Sequence, residues 1–556
     1  MTRRRVIAGA FAAAVVFLAR PSSPPAAATG RPPAATRNAQ VTAKLGMVAS
    51  AHMLASQAGV EILKAGGNAV DAAVAAAFAI GVVEPNASGI GGEGMMVIYL
   101  ARAKRAVAID YRSSAPASIE YPGPIPGTGH AAVAVPGTVA GLTMALEQYG
   151  SMKLPQVLAP AIRLAEQGFI VSPTLAGIVV DNFQDLAKNE PLASVVCPEG
   201  LPIEAGDTLK NPALGASLRQ IAAGGRDVFY RDALADAIAA EMAAHGGRIT
   251  KADLAAYRAV ERTPVEGKYR GYDVVSAPPP VGGVSLVEIL HVLGNFDFSK
   301  EAPLSPRYVH VVAEAMKRGF ADFTAYVGDP DFVTVPVADL LSAGYARRRA
   351  AEIKLDAVTP KVTAGTVMKR ESPSTTSLAA VDAEGNMVAL TQTISDFFGA
   401  KVMVGGTGIL LNNEMKNFGS RGPNAIAPGK RMRTMIAPTI LLKDGKTFAA
   451  IGTPGAARIV STMTLLVSNL VDFGMGIQEA IEAPRFYARD TEADLSVEAR
   501  VPAATLEALA KMGYSIKTLG EYDLFFGGAQ GIVIDPKTGL RIGGADPRRD
   551  GAVAGY

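Results

Sequence analysis

Glu371-Ser372-Pro373-Ser374-Thr375-Thr376-Ser377 opens the stretch on which the fold reading turns, and it runs on through Val381-Asp382-Ala383-Glu384-Gly385-Asn386-Met387. Two runs, Ser377–Asp382 and Met387–Thr393, flank the turn residues Ala383 to Asn386 and predict a β-hairpin. Counting outward from the turn pairs Asp382 with Met387 and brings Thr375 opposite Ile394, one residue from Thr393. A hydroxyl at the open end of one strand then faces a hydroxyl on its partner. Upstream, Lys354–Ser374 is polar, contains prolines and threonines and lacks apolar periodicity, which predicts an exposed linker.

This placement suits an N-terminal nucleophile. If the backbone were cut before Thr375, one residue would carry both the hydroxyl and a new α-amine. That amine, with an ordinary pKa of about 8, can take the hydroxyl proton near neutral pH. No separate histidine is then needed, and the five histidines sit in no obvious triad setting. Spacing alone favours two ordinary threonines at the start of a strand, because threonine is common in strands.

On the N-terminal side, Ala51–Lys64 has helical spacing and is stopped by Gly66-Gly67-Asn68. The alanine-rich, almost wholly apolar Ala69–Val83 predicts a buried helix. Met95–Leu100 and Ala106–Tyr111 read as strands, and Leu154–Gln167, Ala233–His245, Ser285–Leu293 and Arg307–Phe323 as helices. On the C-terminal side, strands are expected at Ile436–Leu442, Thr447–Ile451, Gly531–Asp535 and Leu540–Gly544. Helices are expected at Ile459–Leu470, Ile477–Ala483 and Ala504–Lys511. Strand pairs interleaved with helices predict sheets covered by helices, an α/β or α+β layered fold. A length of 556 residues fits several packing units or one large layered assembly.

The first 28 residues predict an export signal. Arg3-Arg4-Arg5 precede an apolar run from Val6 to Leu18, and a proline-containing stretch leads to Ala26-Ala27-Ala28. The start also resembles a twin-arginine signal, so a periplasmic or extracellular protein is expected. Residues 29–40 read as a disordered lead-in. Without Arg3, Arg4, Arg5 and Arg20 the formal charge falls from +3 to −1, leaving no basic excess for nucleic acid. The single cysteine, Cys197, permits no internal disulfide and reads as a bystander.

The segment from Glu371 to Ser377, followed by Val381-Asp382 and Gly385-Asn386, resembles the processing site of the γ-glutamyltranspeptidases. Further blocks run through nearly the whole chain: Gly66-Gly67-Asn68-Ala69-Val70-Asp71-Ala72-Ala73, Val135-Pro136-Gly137-Thr138, Tyr269-Arg270-Gly271-Tyr272, Gly328-Asp329-Pro330-Asp331-Phe332, Leu411-Asn412-Asn413-Glu414-Met415 and Asp546-Pro547-Arg548. The resemblance implies a four-layer αββα sandwich of the N-terminal-nucleophile hydrolase type. It implies self-cleavage between Ser374 and Thr375, giving a large fragment (41–374 after the lead-in) and a small one (375–556) that stay together as a heterodimer. Thr375 would form an acyl-enzyme, and Thr393 would orient it. Gly455 and Ala456 would supply the oxyanion hole, with Ala456 where a second glycine is usual; alanine keeps the N–H. Arg112 would hold the substrate α-carboxylate, a role that suits a guanidinium.

The match loosens at the substrate positions. Glu414 fits one acidic group expected near the substrate amine, whereas Asn417 stands in place of an aspartate and Ser395 in place of an asparagine. Thr434 and Met435 replace a pair of serines, and the short Gly419–Lys430 segment implies that a lid loop is missing. The implied substrate is a γ-glutamyl amide such as glutathione, with water or an amino acid or peptide as acceptor. These departures keep open a broader amide hydrolase or a glutaryl-type β-lactam acylase, and an unprocessed binding protein is a third reading. No cofactor and no metal are expected. Gly89-Ile90-Gly91-Gly92-Glu93-Gly94 fits GxGxxG, but it follows a predicted helix and precedes a strand, the reverse of a dinucleotide site.

Overall fold

Apolar residues occupy both faces of the hairpin because both faces are covered. Leu378, Ala380, Val388 and Leu390 pack toward helices, whereas Ala379, Val381, Met387 and Ala389 pack toward a second sheet. Every residue of Thr376–Val381 and of Met387–Thr393 is buried. The computed structural model that shows this describes residues 40–363, 375–491 and 493–556. The export signal, the lead-in up to residue 39, the linker beyond residue 363 and Ser374 lie outside the described residues.

The hairpin is the middle of a seven-stranded antiparallel sheet. Its order is Ala552–Gly555, Met47–Ser50, Thr376–Val381, Met387–Thr393, Glu93–Leu100, Arg105–Tyr111 and Val260–Arg262. A second antiparallel sheet of seven strands runs Val41–Ala43, Arg541–Ala545, Gln530–Ile534, Lys446–Gly452, Thr439–Lys443, Tyr272–Ser276 and Val265–Tyr269. The helices Met53–Lys64, Ala69–Val83 and Thr138–Tyr149 share a core with the first sheet. Gly283–Leu293, Pro306–Tyr326 and Arg458–Val471 share one with the second. The architecture is therefore the four-layer αββα sandwich expected of an N-terminal-nucleophile hydrolase.

Helix Ala69–Val83 is buried along its whole length, as its composition predicts. Asn68 caps it by accepting the Val70 and Asp71 N–H groups, and Asp71 returns the bond by accepting from Asn68 N at 2.8 Å. Alanine keeps the helix thin enough to lie flat on the sheet.

The hairpin register differs by one residue from the sequence count. Val381, not Asp382, pairs with Met387, and Thr376 pairs with Gln392. Asp382 belongs to the turn because its Oδ1 accepts the N–H groups of Glu384 and Asn386, both at 3.0 Å. Its Oδ2 accepts from Asn386 Nδ2 at 2.8 Å and from the N–H of Ala69 at 3.0 Å, the start of the buried helix. The strand expected from Ile436 begins only at Thr439, beyond Pro438, which has no N–H for the ladder. The first ten residues of the predicted linker are tied down: Val358 and Val362 donate their N–H groups to Met512 O and Asp490 O, both at 2.8 Å. A three-stranded sheet with a parallel pair, Asp494–Glu498 beside Ser515–Leu519, was not foreseen.

Asp382→Ala removes an acceptor of four hydrogen bonds and leaves the Ala69 N–H buried. We expect a loss of about 2–4 kcal/mol in unfolding free energy, read from the denaturant midpoint at unchanged slope.

Candidate active site

Continuing the observed register places Thr375 directly opposite Thr393. Thr375 is buried, and its Oγ1 donates to Thr393 Oγ1 at 3.3 Å. Thr393 Oγ1 also accepts the Ser395 N–H at 2.8 Å, which fixes its rotamer. The carbonyl of Thr375 accepts from Arg549 Nη1 at 3.1 Å. Two glycines permit this crowding. A Cβ on Gly92 would fall 2.3 Å from Thr393 O, and one on Gly452, in the second sheet, 2.1 Å from Ser377 Oγ.

A cleft of about 310 Å³ opens beside the two threonines, walled by Ser395, Glu414, Asn417 and Thr434 on its polar side. Met435, Ile436, Ala456 and Ile459 complete it. Glu414 and Asn417 share one turn of 3₁₀ helix, whose three-residue repeat sets them on one side. Asn417 Nδ2 bridges them to the hairpin, donating to Glu414 Oε2 at 2.7 Å and to Ser395 Oγ at 3.0 Å. Asn424 ties the far wall on: it donates to Asn417 O at 2.7 Å and accepts from Arg433 N at 2.8 Å. The Thr434 hydroxyl is buried and has no hydrogen-bond partner among the described residues.

At the opposite wall, Gly455 and Ala456 take successive positive φ angles of 133° and 51°. A left-handed alanine costs about 1 kcal/mol, so the bend is imposed by its surroundings. Their carbonyls accept from Arg458 N and Ile459 N, both at 3.0 Å, and start the 14-residue helix Arg458–Val471. The positive end of that helix thus borders the cleft.

Behind Glu414 lies a buried charge cluster. Arg112 has no solvent exposure; it pairs with Glu93 and lies 3.6 Å from Glu414 Oε2. Glu93 also accepts the Ser113 N–H at 2.6 Å. Arg112 is therefore at the back of the cleft and not on its lining, where Glu414 is the one charged side chain among the described residues.

The Gamma-glutamyltranspeptidase family profile matches residues 55–556. The chain is 42% identical over 545 residues to the glutathione hydrolase proenzyme of Escherichia coli (strain K12), covering 93% of each protein. The chain belongs to the γ-glutamyltranspeptidase family. Within that family it is also 42% identical, over 525 residues, to the acylase ACY 1 proenzyme of Pseudomonas sp. (strain SE83), covering 91% of this chain and 92% of the other. The crystal structure of cephalosporin acylase from Bacillus halodurans superposes with a TM-score of 0.87 at 34% identity, covering 98% and 99% of the two chains. The chain is thus an enzyme of this family.

Of the residues singled out from the γ-glutamyltranspeptidase resemblance, Thr375, Thr393, Ser395, Glu414, Asn417, Thr434 and Ala456 line one cleft, Gly455 adjoins it and Arg112 lies behind it, while Ser374 is outside the described residues. Three others were not foreseen: Glu93, Arg549 and Glu84. Glu93 had a signal, an acidic residue opening an otherwise apolar strand. Arg549 directly follows the Asp546-Pro547-Arg548 block. Glu84 ends the apolar helix and lies 4.0 Å from Arg549. Burial pushes its carboxyl up to about 7, and Arg549 offsets this only in part. The glycine run at 89–94 is a packing loop: Gly91 O accepts from Asn412 Nδ2 at 2.9 Å, and Gly92 O accepts from the N–H groups of Gly137 and Thr138. Cys197 is buried, which pushes its thiol up and leaves it unreactive.

Two outcomes follow from this geometry. Thr393→Val keeps the shape and removes the bond to Thr375, so kcat should fall by about a hundredfold with the fold intact by circular dichroism. Glu84 is held above its unfolded value of 4.5, so the stability it contributes is full below pH 4.5 and is lost as pH rises through about 7. Glu84→Gln should remove that loss, worth up to about 3 kcal/mol. Melting temperatures of the two proteins compared from pH 5 to pH 8 should diverge, with the wild type falling more steeply.

Proposed function

We propose that this chain is an exported proenzyme that cuts itself before Thr375 and then hydrolyses or transfers γ-glutamyl groups of small amides such as glutathione. Thr375 Oγ1 attacks the amide carbonyl while the new α-amine takes the hydroxyl proton. The oxyanion forms at the Gly455–Ala456 bend, where backbone N–H groups and the helix end favour negative charge. The amine delivers the proton to the leaving amine, and water or an amino acid or peptide then takes the acyl group from Thr375. Thr393 orients the nucleophile. The fragments 41–374 and 375–556 act as one heterodimer. Export is supported by the basic-apolar leader, and no helix among the described residues is long and apolar enough to cross a membrane.

The observation that carries the substrate reading is the sign of the lining. Its one charged group among the described residues is the Glu414 carboxylate, which suits the α-ammonium of a γ-glutamyl group. A glutaryl group lacks that ammonium and would bring only a second negative charge. For the α-carboxylate, Arg112 is the guanidinium beside the cleft, 3.6 Å from Glu414 Oε2. Substrate can reach it if Glu414 turns toward the ammonium, so that one carboxylate replaces another.

A glutaryl or cephalosporin-type acylase is the second reading. Asn417 already donates to Glu414 and so competes with a substrate ammonium, while Met435 makes the far wall apolar. The acylase similarities point the same way. Side-by-side assay of γ-glutamyl and glutaryl anilides separates the two. We expect kcat/KM to favour the γ-glutamyl compound at least about tenfold, equivalent to about 1.4 kcal/mol; the reverse order would establish the acylase. Asn417→Asp should widen the γ-glutamyl preference.

Thr375→Ala should give one full-length band and no turnover. N-terminal sequencing of the wild type should find Thr375 at the start of the smaller fragment. A single uncut wild-type band without turnover would leave the binding-protein reading standing.

A further inference from the structure

Away from the cleft, three side chains that this reaction does not use meet near the surface. His130, in the single turn His130–Ala132, faces Glu241 on helix Ala233–Ala244 and His245 at that helix's C-terminal cap. His130 Nε2 lies 2.9 Å from Glu241 Oε1, and His245 Nδ1 lies 3.2 Å from the same oxygen and 3.1 Å from the Glu241 carbonyl, a contact that a bound ion would replace. The two imidazoles stack with centroids 4.6 Å apart, so both rings address one carboxylate. One donor atom from each residue falls within 4.8 Å of the other two.

We propose that His130, Glu241 and His245 form a binding site for one divalent transition-metal ion of the zinc class. Zinc bonds of about 2.0–2.1 Å in a tetrahedron put neighbouring ligand atoms about 3.3 Å apart. Both distances to Glu241 Oε1 are already close to that spacing, so small side-chain shifts bring all three groups onto one ion. Two imidazoles and one carboxylate suit zinc, copper or nickel and not magnesium or calcium, which take all-oxygen sets. Glu241 and His245 stand four residues apart, one helical turn, and hence on one face. His245 is half exposed, at 54%, which leaves an entry path and a fourth position for water.

The remaining histidines do not compete. His291 engages Leu341 O and the Lys268 N–H, and His310 engages Tyr514 Oη and Lys354 O. His52 uses Nδ1 to cap a helix, and Cys197 is buried. Binding would also be felt at the cleft's rim. Gly127 O accepts from Asn413 Nδ2 at 2.6 Å, and Gly129 N donates to Ala400 O at 2.8 Å. Asn413 directly precedes Glu414, so an ion on His130 would brace the loop that supports the Glu414 turn.

The test uses untagged protein, treated with chelator, dialysed and titrated with zinc chloride, cobalt chloride or magnesium chloride. We expect one zinc equivalent per chain by calorimetry, a visible cobalt absorption band, a higher melting temperature with zinc, and no saturable uptake of magnesium. His130→Ala and His245→Ala should each weaken zinc at least tenfold, and Glu241→Gln should do likewise. His245 is exposed enough that its variant should fold even if His130→Ala does not. No saturable zinc uptake by the wild type would overturn the proposal. So would uptake unchanged in His245→Ala and Glu241→Gln, or magnesium bound as tightly as zinc.

Discussion

Asp382 holds a five-residue turn out of the ladder, so the outgoing strand ends one residue earlier than a simple hairpin would. Its carboxylate holds the turn and the first N–H of the buried helix together, so sheet and helix are aligned by one group. Because side chains alternate along a strand, that single step decides which residues face the helices and which face the second sheet. It also sets Thr375 against Thr393 at the strand's far end. The distance from the turn to Thr375 is a whole strand, yet the rigid ladder transmits the register without loss.

The second organising feature is a carboxylate held over buried charge. Arg112 balances one of two acids, Glu93 and Glu414, and the unbalanced one faces the cleft. In a site of low polarity, charges that cannot move far act strongly on what enters. Asn417 moderates this by giving Glu414 a neutral partner. The cleft can therefore be tuned at position 417 without touching the threonines, which fits a family whose members include both glutathione hydrolases and acylases.

Much of this was legible in sequence, and for physical reasons. Ala69–Val83 and Met387–Thr393 were read with their full boundaries because their composition admits one environment only. The layered fold followed from strand pairs between helices, and the family from the blocks that run through the chain. The register was misread because nothing in Ala383-Glu384-Gly385-Asn386 announces that Asp382 will bond into the turn. Arg112 could be named but not placed, since its depth depends on Glu93, which lies on the neighbouring strand. The His130 cluster was invisible for the same reason: His130 lies 111 residues from Glu241, and linear spacing carries no trace of that meeting.

The strand order has a consequence for the two fragments that cleavage before Thr375 would leave. In the first sheet, strands from before and after residue 375 alternate at three junctions, and in the second at two. Neither piece owns either seven-stranded sheet whole, and the Tyr556 carbonyl closes onto the N–H groups of Lys44 and Leu45. Such a pair has no surface along which to part. Diluting it should no more separate the halves than dilution unfolds a single chain, and the enzyme would keep the concentration-independence of a monomer while carrying two extra chain ends.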